Sequence, residues 1–359
     1  MLNTNRYGKA AAGDDPIDFV IMWVDGNDPA WREDMLRHLP QNAEQGDAWN
    51  KRFRSWDSVR FRSWDNLRYW FRAVETCAPW VRKVHFVTWG HHPEWLNFDC
   101  PKLHFVRHED FIPKEYLPTF SARPIELNFH RIEGLSESFV FFDDDMFLLK
   151  EISPDFYFRE GCSVHPAVLR SIVPMAGNDM MSHTYVNMVT LINRHFNRDE
   201  SLKANAWKWF SPLHAGLKGS IQTLSTLPYS QFTGFANEHL PVPMHVSTMQ
   251  EVWEAEHDVM HETCLHKFRS PLDVNQYVFR YWELASGRFY PIQQKDVGRR
   301  FSANSIERAQ CVADAIQKRK YRQVCINDGV MSDSLAEECK EIVNSALRLA
   351  FPHKSGFEL

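Results

Sequence analysis

The chain has 359 residues, enough for one large globular domain or for a main domain with insertions. Its net charge of -5 and its lack of a basic block argue against nucleic-acid binding. The seven cysteines are scattered and never spaced Cys-x-x-Cys, so we expect reduced thiols of a cytosolic protein and no zinc site. Without a signal-like apolar start or a run of about 18 to 20 apolar residues, we expect a protein that is soluble or at most peripheral to a membrane.

The first element predicted along the chain is a central parallel strand over 17–24, a nearly continuous apolar run. Asp25 and Gly26 end it, and Asp28 is placed to cap a helix that reaches residue 39. A carboxylate and a glycine at a strand end are typical of a loop that meets a nucleotide. A hairpin turn is the alternative, which the helical pattern of the next residues disfavours.

Residues 40–58 are polar and predict a loop, in which the motif at 52–57 returns almost intact at 60–65. Two copies do not define a repeat fold. The pattern that follows predicts alternating helices and strands. These are a helix over 66–74 behind Asp65, a strand over 84–89, a short helix over 94–97, a strand over 103–106, a loop over 113–120 and a helix over 121–133.

The most informative stretch is the apolar run 139–142, which predicts a buried strand and leads into Asp143, Asp144 and Asp145. Three adjacent carboxylates repel one another and are costly to bury without a counter-charge. In an open α/β sheet they would lie at the crevice where ligands bind, and a divalent cation with a phosphate ligand is the usual reason to gather them there. A solvated acidic turn is the alternative.

The second half loses the regular alternation. Residues 185–196 predict a helix, and His239 lies in a proline-bounded loop before a helix over 246–256. Arg269 precedes a helix over 273–284. The chain closes with a strand over 324–329 and an amphipathic helix over 332–349, in which Ser334 and Glu337 have capping-box spacing.

This order of elements predicts an α/β fold with a Rossmann-like, GT-A-like nucleotide-binding layer and a helical insertion or lid. The predicted division has four parts. They are a polar N-terminal segment over 1–16, the Rossmann-like half of the catalytic domain over 17–150, a largely helical insertion or lid over 151–235, and the remainder of the catalytic domain over 236–359 with His239, Arg269 and Asp328.

Four sequence blocks then stand in order: 17–28; 65–145, with its Leu-Pro-Thr-Phe-Ser run and Glu126; 239–244 with 268–273; and 325–328. Each block is weak alone, but together they span most of the chain. With them the sequence resembles the Stealth family of sugar-phosphate transferases. That family includes bacterial capsular polysaccharide phosphotransferases and the catalytic part of the animal N-acetylglucosamine-1-phosphotransferase.

The resemblance implies a transfer of hexose-1-phosphate or N-acetylhexosamine-1-phosphate from a UDP-sugar, such as UDP-GlcNAc, to a hydroxyl of an oligosaccharide or glycan acceptor. The product is a phosphodiester, UMP leaves, and the pathway is capsular or extracellular polysaccharide synthesis. The implied location is cytoplasmic, with the inner face of the cell membrane as a place of association.

The resemblance also implies roles for individual residues. Asp144, Asp145 and Asp328 would hold Mg²⁺ or Mn²⁺. Arg269 would bind a phosphate oxygen, and His239, expected near its ordinary pKa, would act as general base. Asp144 is counted with these two as catalytic. The residues expected to bind the nucleotide-sugar are Asp25, Gly26, Asn66, Arg68, His130 and Arg131.

Two alternatives remain at this point. A metal-dependent GT-A-type glycosyltransferase would share the nucleotide layer and an Asp-x-Asp motif, here Asp143 and Asp145, but would release UDP. A non-catalytic sugar-binding module would use the aromatic-rich middle of the chain.

Overall fold

The computed structural model describes residues 15–39, 62–174, 179–329 and 331–359. Within them the strands are β1 Ile17–Met22, β2 Val84–Thr88, β3 Leu103–Arg107, β4 Ser138–Asp143, β5 Met146–Leu148, β6 Phe158–Arg159, β7 Cys162–His165, β8 Val242–His245, β9 Phe289–Pro291, β10 Arg299–Ser302 and β11 Gln323–Asn327. The α-helices are Pro29–Arg37, Leu67–Cys77, His108–Phe111, Ala122–Leu127, Asp179–His195, Arg198–Ala204, Ala206–Phe210, Gly216–Ser225, Val246–Ala255, His257–Leu265, Tyr277–Ser286, Gln294–Val297, Ile306–Gln317 and Asp333–Ala350.

The central sheet has the strand order β3-β2-β1-β4-β8. Its first four strands run parallel, and β8 is antiparallel to β4. The central strand β1 is mostly apolar because both faces of the sheet are covered there: Phe19 and Ile21 enter one core cluster, and Val20 enters the other. The sheet therefore ends at a carboxyl edge shared by β1, β2, β3 and β4, where the loops after these strands meet.

A second sheet has the order β10-β11-β5, with β10 parallel and β5 antiparallel to β11. Only Asp144 and Asp145 separate β4 of the central sheet from β5 of this second sheet, so the acidic turn formed by Asp143, Asp144 and Asp145 connects the two sheets. A third small sheet has the order β6-β7-β9, with β6 antiparallel and β9 parallel to β7. The residues that the structure describes contain no helix long and apolar enough to cross a membrane.

The α/β class is confirmed, whereas the Rossmann-like assignment and the four-part division stay predictions. Several local predictions need correction. Residues 94–97 form a turn in which Leu96 bridges Glu358, not a helix. The helix predicted over 121–133 ends at Leu127, and a separate 3₁₀ turn, Phe129–Arg131, follows it. A further 3₁₀ turn, Lys114–Tyr116, interrupts the predicted loop over 113–120.

The second half also differs in detail. The proline-bounded loop expected after His239 contains β8, which tolerates proline because it is an edge strand. The last helix is capped by Ser332, whose hydroxyl accepts from the Leu335 amide, rather than by Ser334. Three predicted features lie outside the described residues: residues 1–14 of the polar segment over 1–16, the whole loop over 40–58 and the first copy of the repeated motif.

The carboxylate of Asp18, fully buried in β1, joins three segments of the central sheet. It accepts from Arg82 Nε at 2.8 Å, from the Ser136 amide at 2.8 Å and from the Lys83 amide at 3.1 Å, and it lies 2.9 Å from His85 Nε2. Burial alone would raise its pKa, but these partners hold the pKa of Asp18 far below its usual range. The charged form is therefore the one that the fold requires.

We expect Asp18→Asn to lower the free energy of unfolding by about 3 kcal/mol, because it removes the charge that Arg82 and His85 face. Urea unfolding measures this loss, with Asp15→Asn, an exposed carboxylate, as the control that changes stability by less than about 0.5 kcal/mol. Since the folded pKa lies below the unfolded one of about 3.9, the contribution is present above pH 4 and is lost as the pH falls. A variant as stable as the parent at pH 7 would contradict this account.

Candidate active site

Asp144 and Asp145 form the turn between β4 and β5, and together with Asp143 they make up the acidic turn. Asp143 ends β4 opposite Met22 of β1, so the acidic turn and the loop that holds Asp25 leave the same edge of the sheet. The second sheet fixes the turn from the other side: the Ile326 amide donates to the Asp145 carbonyl at 2.8 Å, and Cys325 Sγ donates to Asp145 Oδ2 at 3.2 Å. Two sheets therefore hold the carboxylates in place.

His239 brings a cationic partner to this turn. Its Nε2 lies 3.6 Å from Asp145 Oδ2 and 3.8 Å from Asp143 Oδ2. The buried Leu240 follows it directly and β8 begins two residues later, so the antiparallel pairing of β8 with β4 positions the imidazole over the end of β4. The sequence prediction that places His239 beside the aspartates in one site is therefore consistent with this geometry.

The charges in the cluster are not balanced. Burial raises the pKa of Asp143 to about 8, and the nearby carboxylates of Asp145, Glu126 and Asp144 add to the rise against the opposing effect of His239. The pKa of Asp144 is also raised, by desolvation and by Asp145, although its side chain reaches solvent. Four carboxyl groups thus compete for few positive charges, a situation that favours a bound cation.

Asp145 and His239 shift each other's pKa in opposite directions. Burial would raise the pKa of Asp145, but the imidazole and the Cys325 thiol hold it below its usual value. Burial would lower the pKa of His239, but Asp145 and Asp143 raise it to about 9. The expectation of a His239 pKa near its ordinary value was therefore wrong: at pH 7 the imidazole is positively charged, chiefly because the ionised carboxylate of Asp145 faces it.

Arg269 lies in the same charge cluster, close enough for Asp143 and Glu126 to stabilise its charge. Its Nε is buried and has no hydrogen-bond partner among the described residues. Asp273, by contrast, is already paired: Arg123 binds its carboxylate, and the Ser270 amide donates to it at 2.8 Å. The segment that carries Arg269 is thereby fixed, while the guanidinium retains a buried donor for an anionic ligand.

The acidic turn fits a hard divalent cation. Asp145 Oδ1 is buried and accepts no hydrogen bond within the described part of the chain, so a carboxylate oxygen is left for a ligand to satisfy. Among the described residues, ligand atoms of Asp145, His239 and Cys325 lie within 4.8 Å of one another. Burial and Asp145 raise the pKa of the Cys325 thiol well above its usual value, and the protonated thiol donates to Asp145 and orients its carboxylate.

Asp328, the third predicted cation ligand, is placed differently. It is not part of the cluster formed by Asp145, His239 and Cys325. Its carboxylate forms an ion pair with Arg62 at 3.2 Å and accepts from the Gly329 amide at 2.6 Å. Its role as a ligand stays a prediction, and a cation at Asp328 would have to compete with Arg62.

Of the predicted nucleotide-sugar residues, Asp25 and Gly26 follow β1, the strand that pairs in parallel with β4, and so leave the same edge of the sheet as the acidic turn. The Asp25 amide donates to His91 Nε2 at 2.8 Å, and His91 Nδ1 lies 3.2 Å from the capping carboxylate of Asp28. His91 therefore acts as a brace of this loop. The backbone that would approach a nucleotide is held by two strand-end loops at once.

The other predicted nucleotide-sugar residues are more scattered. Asn66 is buried at the start of the helix Leu67–Cys77, and the guanidinium of Arg68 lies 5.4 Å above the Trp95 ring. His130 and Arg131 both pack against Trp253, with ring-centroid and cation distances of 5.7 and 5.2 Å. Burial and Arg131 lower the pKa of His130 to about 4, so it is neutral at pH 7.

Besides Asp143, three residues of the cluster were absent from the predicted site: Glu126, Cys325 and Arg300. Glu126 is buried with a raised pKa, and its helix begins where Ser121 caps it. Arg300 of β10 pairs in register with Cys325, which itself lies opposite Met146, so the second sheet sets these residues side by side next to the acidic turn. Glu126 belonged to a recognised sequence block, but nothing in the sequence around Arg300 indicates a strand or a site.

Comparison with known proteins identifies the family of this chain. Conserved region 1 of Stealth proteins matches residues 15–41, and conserved region 2 matches residues 60–165. The capsular polysaccharide phosphotransferase WcwK of Streptococcus pneumoniae is 38% identical over 346 residues, covering 96% of this chain and 99% of the relative. The receptor polysaccharide phosphotransferase WefC of Streptococcus gordonii is 38% identical over 347 residues, with shares of 96% and 99%.

A more distant relative has the same extent. The exopolysaccharide phosphotransferase cps2G of Lactiplantibacillus plantarum is 32% identical over 343 residues, or 95% of this chain and 96% of the relative. These phosphotransferases are similar to the chain over nearly its full length, which shows that the chain is a transferase, here with an α/β fold. It belongs to the Stealth family, as its sequence blocks predict.

We expect Asp145→Asn to weaken Mn²⁺ binding at least tenfold, because it removes the charge of a carboxylate whose buried Oδ1 accepts no hydrogen bond from the described residues. Electron paramagnetic resonance of free Mn²⁺ in a titration gives the dissociation constant. Asp99→Asn, which changes an exposed carboxylate, is the control and should bind as the parent does. Unchanged binding in Asp145→Asn would show that the acidic turn is not the cation site, and Asp328→Asn tests the predicted third ligand in the same titration.

Proposed function

We propose that this protein transfers a sugar-1-phosphate from a UDP-sugar to a hydroxyl of an acceptor glycan, and that it does so in the synthesis of a capsular or extracellular polysaccharide. The observation that carries the proposal is the convergence of Asp143, Asp145, His239 and Arg269 at one edge of the central sheet. The names of the relatives, all polysaccharide phosphotransferases, support the same reaction class.

The reaction forms one bond and breaks one. The acceptor oxygen attacks the β-phosphorus of the donor, the bond from that phosphorus to the bridging oxygen breaks, and UMP leaves with the bridging oxygen. The acceptor proton goes to a base. In the transition state negative charge is spread over the phosphoryl oxygens. Positioning of the reactants and electrostatic stabilisation of this charge therefore supply most of the rate enhancement.

Each charged group of the site has a place in this scheme. Asp145, with Asp143 and Asp144, would hold Mg²⁺ or Mn²⁺, which supplies neutralisation of the diphosphate charge when bound. Arg269 would donate to the transferred phosphoryl group from its buried Nε, which has no hydrogen-bond partner among the described residues. A bidentate guanidinium suits this role better than an ammonium does, because it matches two phosphate oxygens.

His239 is the proposed acceptor of the hydroxyl proton. Its Nε2 points at Asp143 and Asp145, which hold it protonated while their charges are uncompensated. It becomes a base only when those carboxylates are engaged by other ligands. Binding of the substrate and the cation would thereby lower the pKa of His239 and free it to accept a proton. In the free enzyme His239 would stay protonated and could not act as a base towards water.

The donor nucleotide would lie along the same edge, against the loop of Asp25 and Gly26, with Asn66 and Arg68 beyond it. The parallel pairing of β1 with β4, which directs both strand ends to one side, supports the part of this proposal that concerns Asp25 and Gly26.

The cation requirement gives the first test. With a UDP-sugar, Mg²⁺ and an acceptor glycan, we expect UMP as the nucleotide product, because the β-phosphorus leaves with the sugar. EDTA should abolish turnover, since the acid cluster then lacks its counter-charge, and added Mn²⁺ should restore it. Chromatography of the nucleotides measures both. UDP as the sole product would favour a glycosyltransferase, and full activity in EDTA would overturn the cation assignment.

The second test separates chemistry from binding. His239→Ala should lower kcat by about 10² to 10⁴ while the dissociation constant for the UDP-sugar changes only severalfold, as expected for loss of a general base. Arg269→Lys should also lose most activity, because a point charge does not replace the guanidinium fork. His257→Ala and Arg37→Lys, both at exposed positions, are the matched controls. Wild-type rates in His239→Ala would end the proposal for that residue.

A further inference from the structure

The helix Gly216–Ser225 exposes its large apolar side chains to solvent. Its inner face consists of small or hydroxyl-bearing residues, namely Gly219, Ser220 and Thr223, which are buried. Leu217, Ile221 and Leu224 follow one another at helical spacing on the opposite face. They are 72%, 57% and 50% exposed. An ordinary surface helix would show the reverse pattern.

This orientation is fixed by close packing. A Cβ added at Gly219 would lie 2.8 Å from Val168 Cγ2, so the backbone of the helix sits closer to its neighbour than any larger residue would allow. Thr223 Oγ1 accepts from the Leu169 amide at 3.1 Å, and Gln293 Nε2 donates to the Leu213 carbonyl at 2.9 Å. The helix and the loop before it are thus held on their inner side, and rotation to bury the leucines would break these contacts.

The exposed apolar surface extends beyond the helix. Leu213, just before it, is 80% exposed, and together Leu213, Leu217, Ile221 and Leu224 form what we call the leucine face. Three large side chains of the same segment are also exposed: Trp207, Leu227 and Tyr229. A solvent-exposed apolar surface of this composition, with aromatic side chains in the same segment, indicates an interaction site.

The charge of the segment is one-sided. Between Glu200 and Glu238 the sequence contains no aspartate or glutamate, although acidic residues outnumber basic ones in the chain as a whole. Lysines stand at positions 203, 208 and 218 within this stretch, and the first and last are exposed. The partner of the leucine face is therefore expected to be negatively charged.

A cleft of about 250 Å³ adjoins the leucine face and shares Leu213 with it. Arg159 and Arg322 line the cleft, with Asp296 as the one carboxylate in its lining among the described residues. The guanidinium of Arg159 lies 5.1 Å above the Tyr290 ring, and that of Arg322 lies 5.6 Å above the Phe156 ring. Two arginines held on aromatic rings can present donors to a phosphate group.

We propose that the leucine face and the adjoining arginine cleft dock this protein on the surface of a bilayer that contains anionic phospholipid. The leucines would enter the boundary between headgroups and acyl chains, and Trp207 and Tyr229 would lie at headgroup level. Lys203 and Lys218 would face the anionic surface, and the cleft would take a lipid phosphate. This mode of attachment requires no membrane-spanning helix.

A second copy of the chain fits the same surface less well. A twofold contact through the leucine face would bring Lys218 close to its own symmetry mate, and the segment offers no carboxylate to compensate. An anionic bilayer meets the apolar and the cationic features together. The inference does not depend on the proposed reaction, so either can fail without the other.

Vesicle co-sedimentation of the full chain tests the apolar part. We expect binding to vesicles of phosphatidylcholine with phosphatidylglycerol, weaker binding at high salt, and little binding to phosphatidylcholine alone. The double variant Leu217→Ser, Ile221→Ser should bind at least about tenfold more weakly, because two inserted side chains are lost. Leu349→Ser is the matched control, since Leu349 is 70% exposed on a different helix and should not matter.

The cleft is tested separately. Arg159→Gln and Arg322→Gln should each weaken binding to the phosphatidylglycerol vesicles by about fivefold, the effect of one cationic side chain at an anionic surface. Circular dichroism confirms that the variants are folded. Equal binding to neutral vesicles, unchanged binding of the Leu217, Ile221 double variant, or a concentration-dependent dimer that this variant abolishes without any vesicle binding would overturn the proposal.

Discussion

Electrostatic repulsion among carboxylates at the end of a buried strand is the constraint on which this structure depends. β4 is apolar along its buried length and ends directly in Asp143, Asp144 and Asp145. Glu126 adds a fourth carboxyl group, and the pKa of Asp143 rises to about 8 as a result of burial and these neighbours. Such a turn stays folded only if protons, cationic side chains or metal ions compensate its charge.

The surrounding elements supply that compensation from separate parts of the chain. The edge strand β8 brings His239, the loop before Asp273 brings Arg269, and the second sheet brings the Cys325 thiol that donates to Asp145. None of these groups is close to the acidic turn in sequence. The central sheet therefore brings distant segments of the chain together at one site. Until ligands bind, the protonated His239 contributes positive charge beside the carboxylates.

The sequence predicted what depends on local pattern and missed what depends on long-range pairing. The strands that begin the fold, the Asp28 cap and the acidic turn follow from apolar runs and residue type, and the structure has them within a few residues. Arg300 was missed because only the pairing of β10 with β11 brings it to the site. The raised pKa of His239 was missed because it depends on two carboxylates nearly a hundred residues away.

The fate of the β-phosphorus tests the central claim most directly. A UDP-sugar labelled with ³²P at the β-position is incubated with the protein, Mg²⁺ and an acceptor glycan, and glycan and nucleotide are separated. If the acidic turn, Arg269 and His239 serve phosphoryl transfer, the label appears in the glycan as a phosphodiester, and Asp145→Asn abolishes its incorporation. If the label remains in the nucleotide while the sugar alone is transferred, the site acts on the anomeric carbon and the account is wrong.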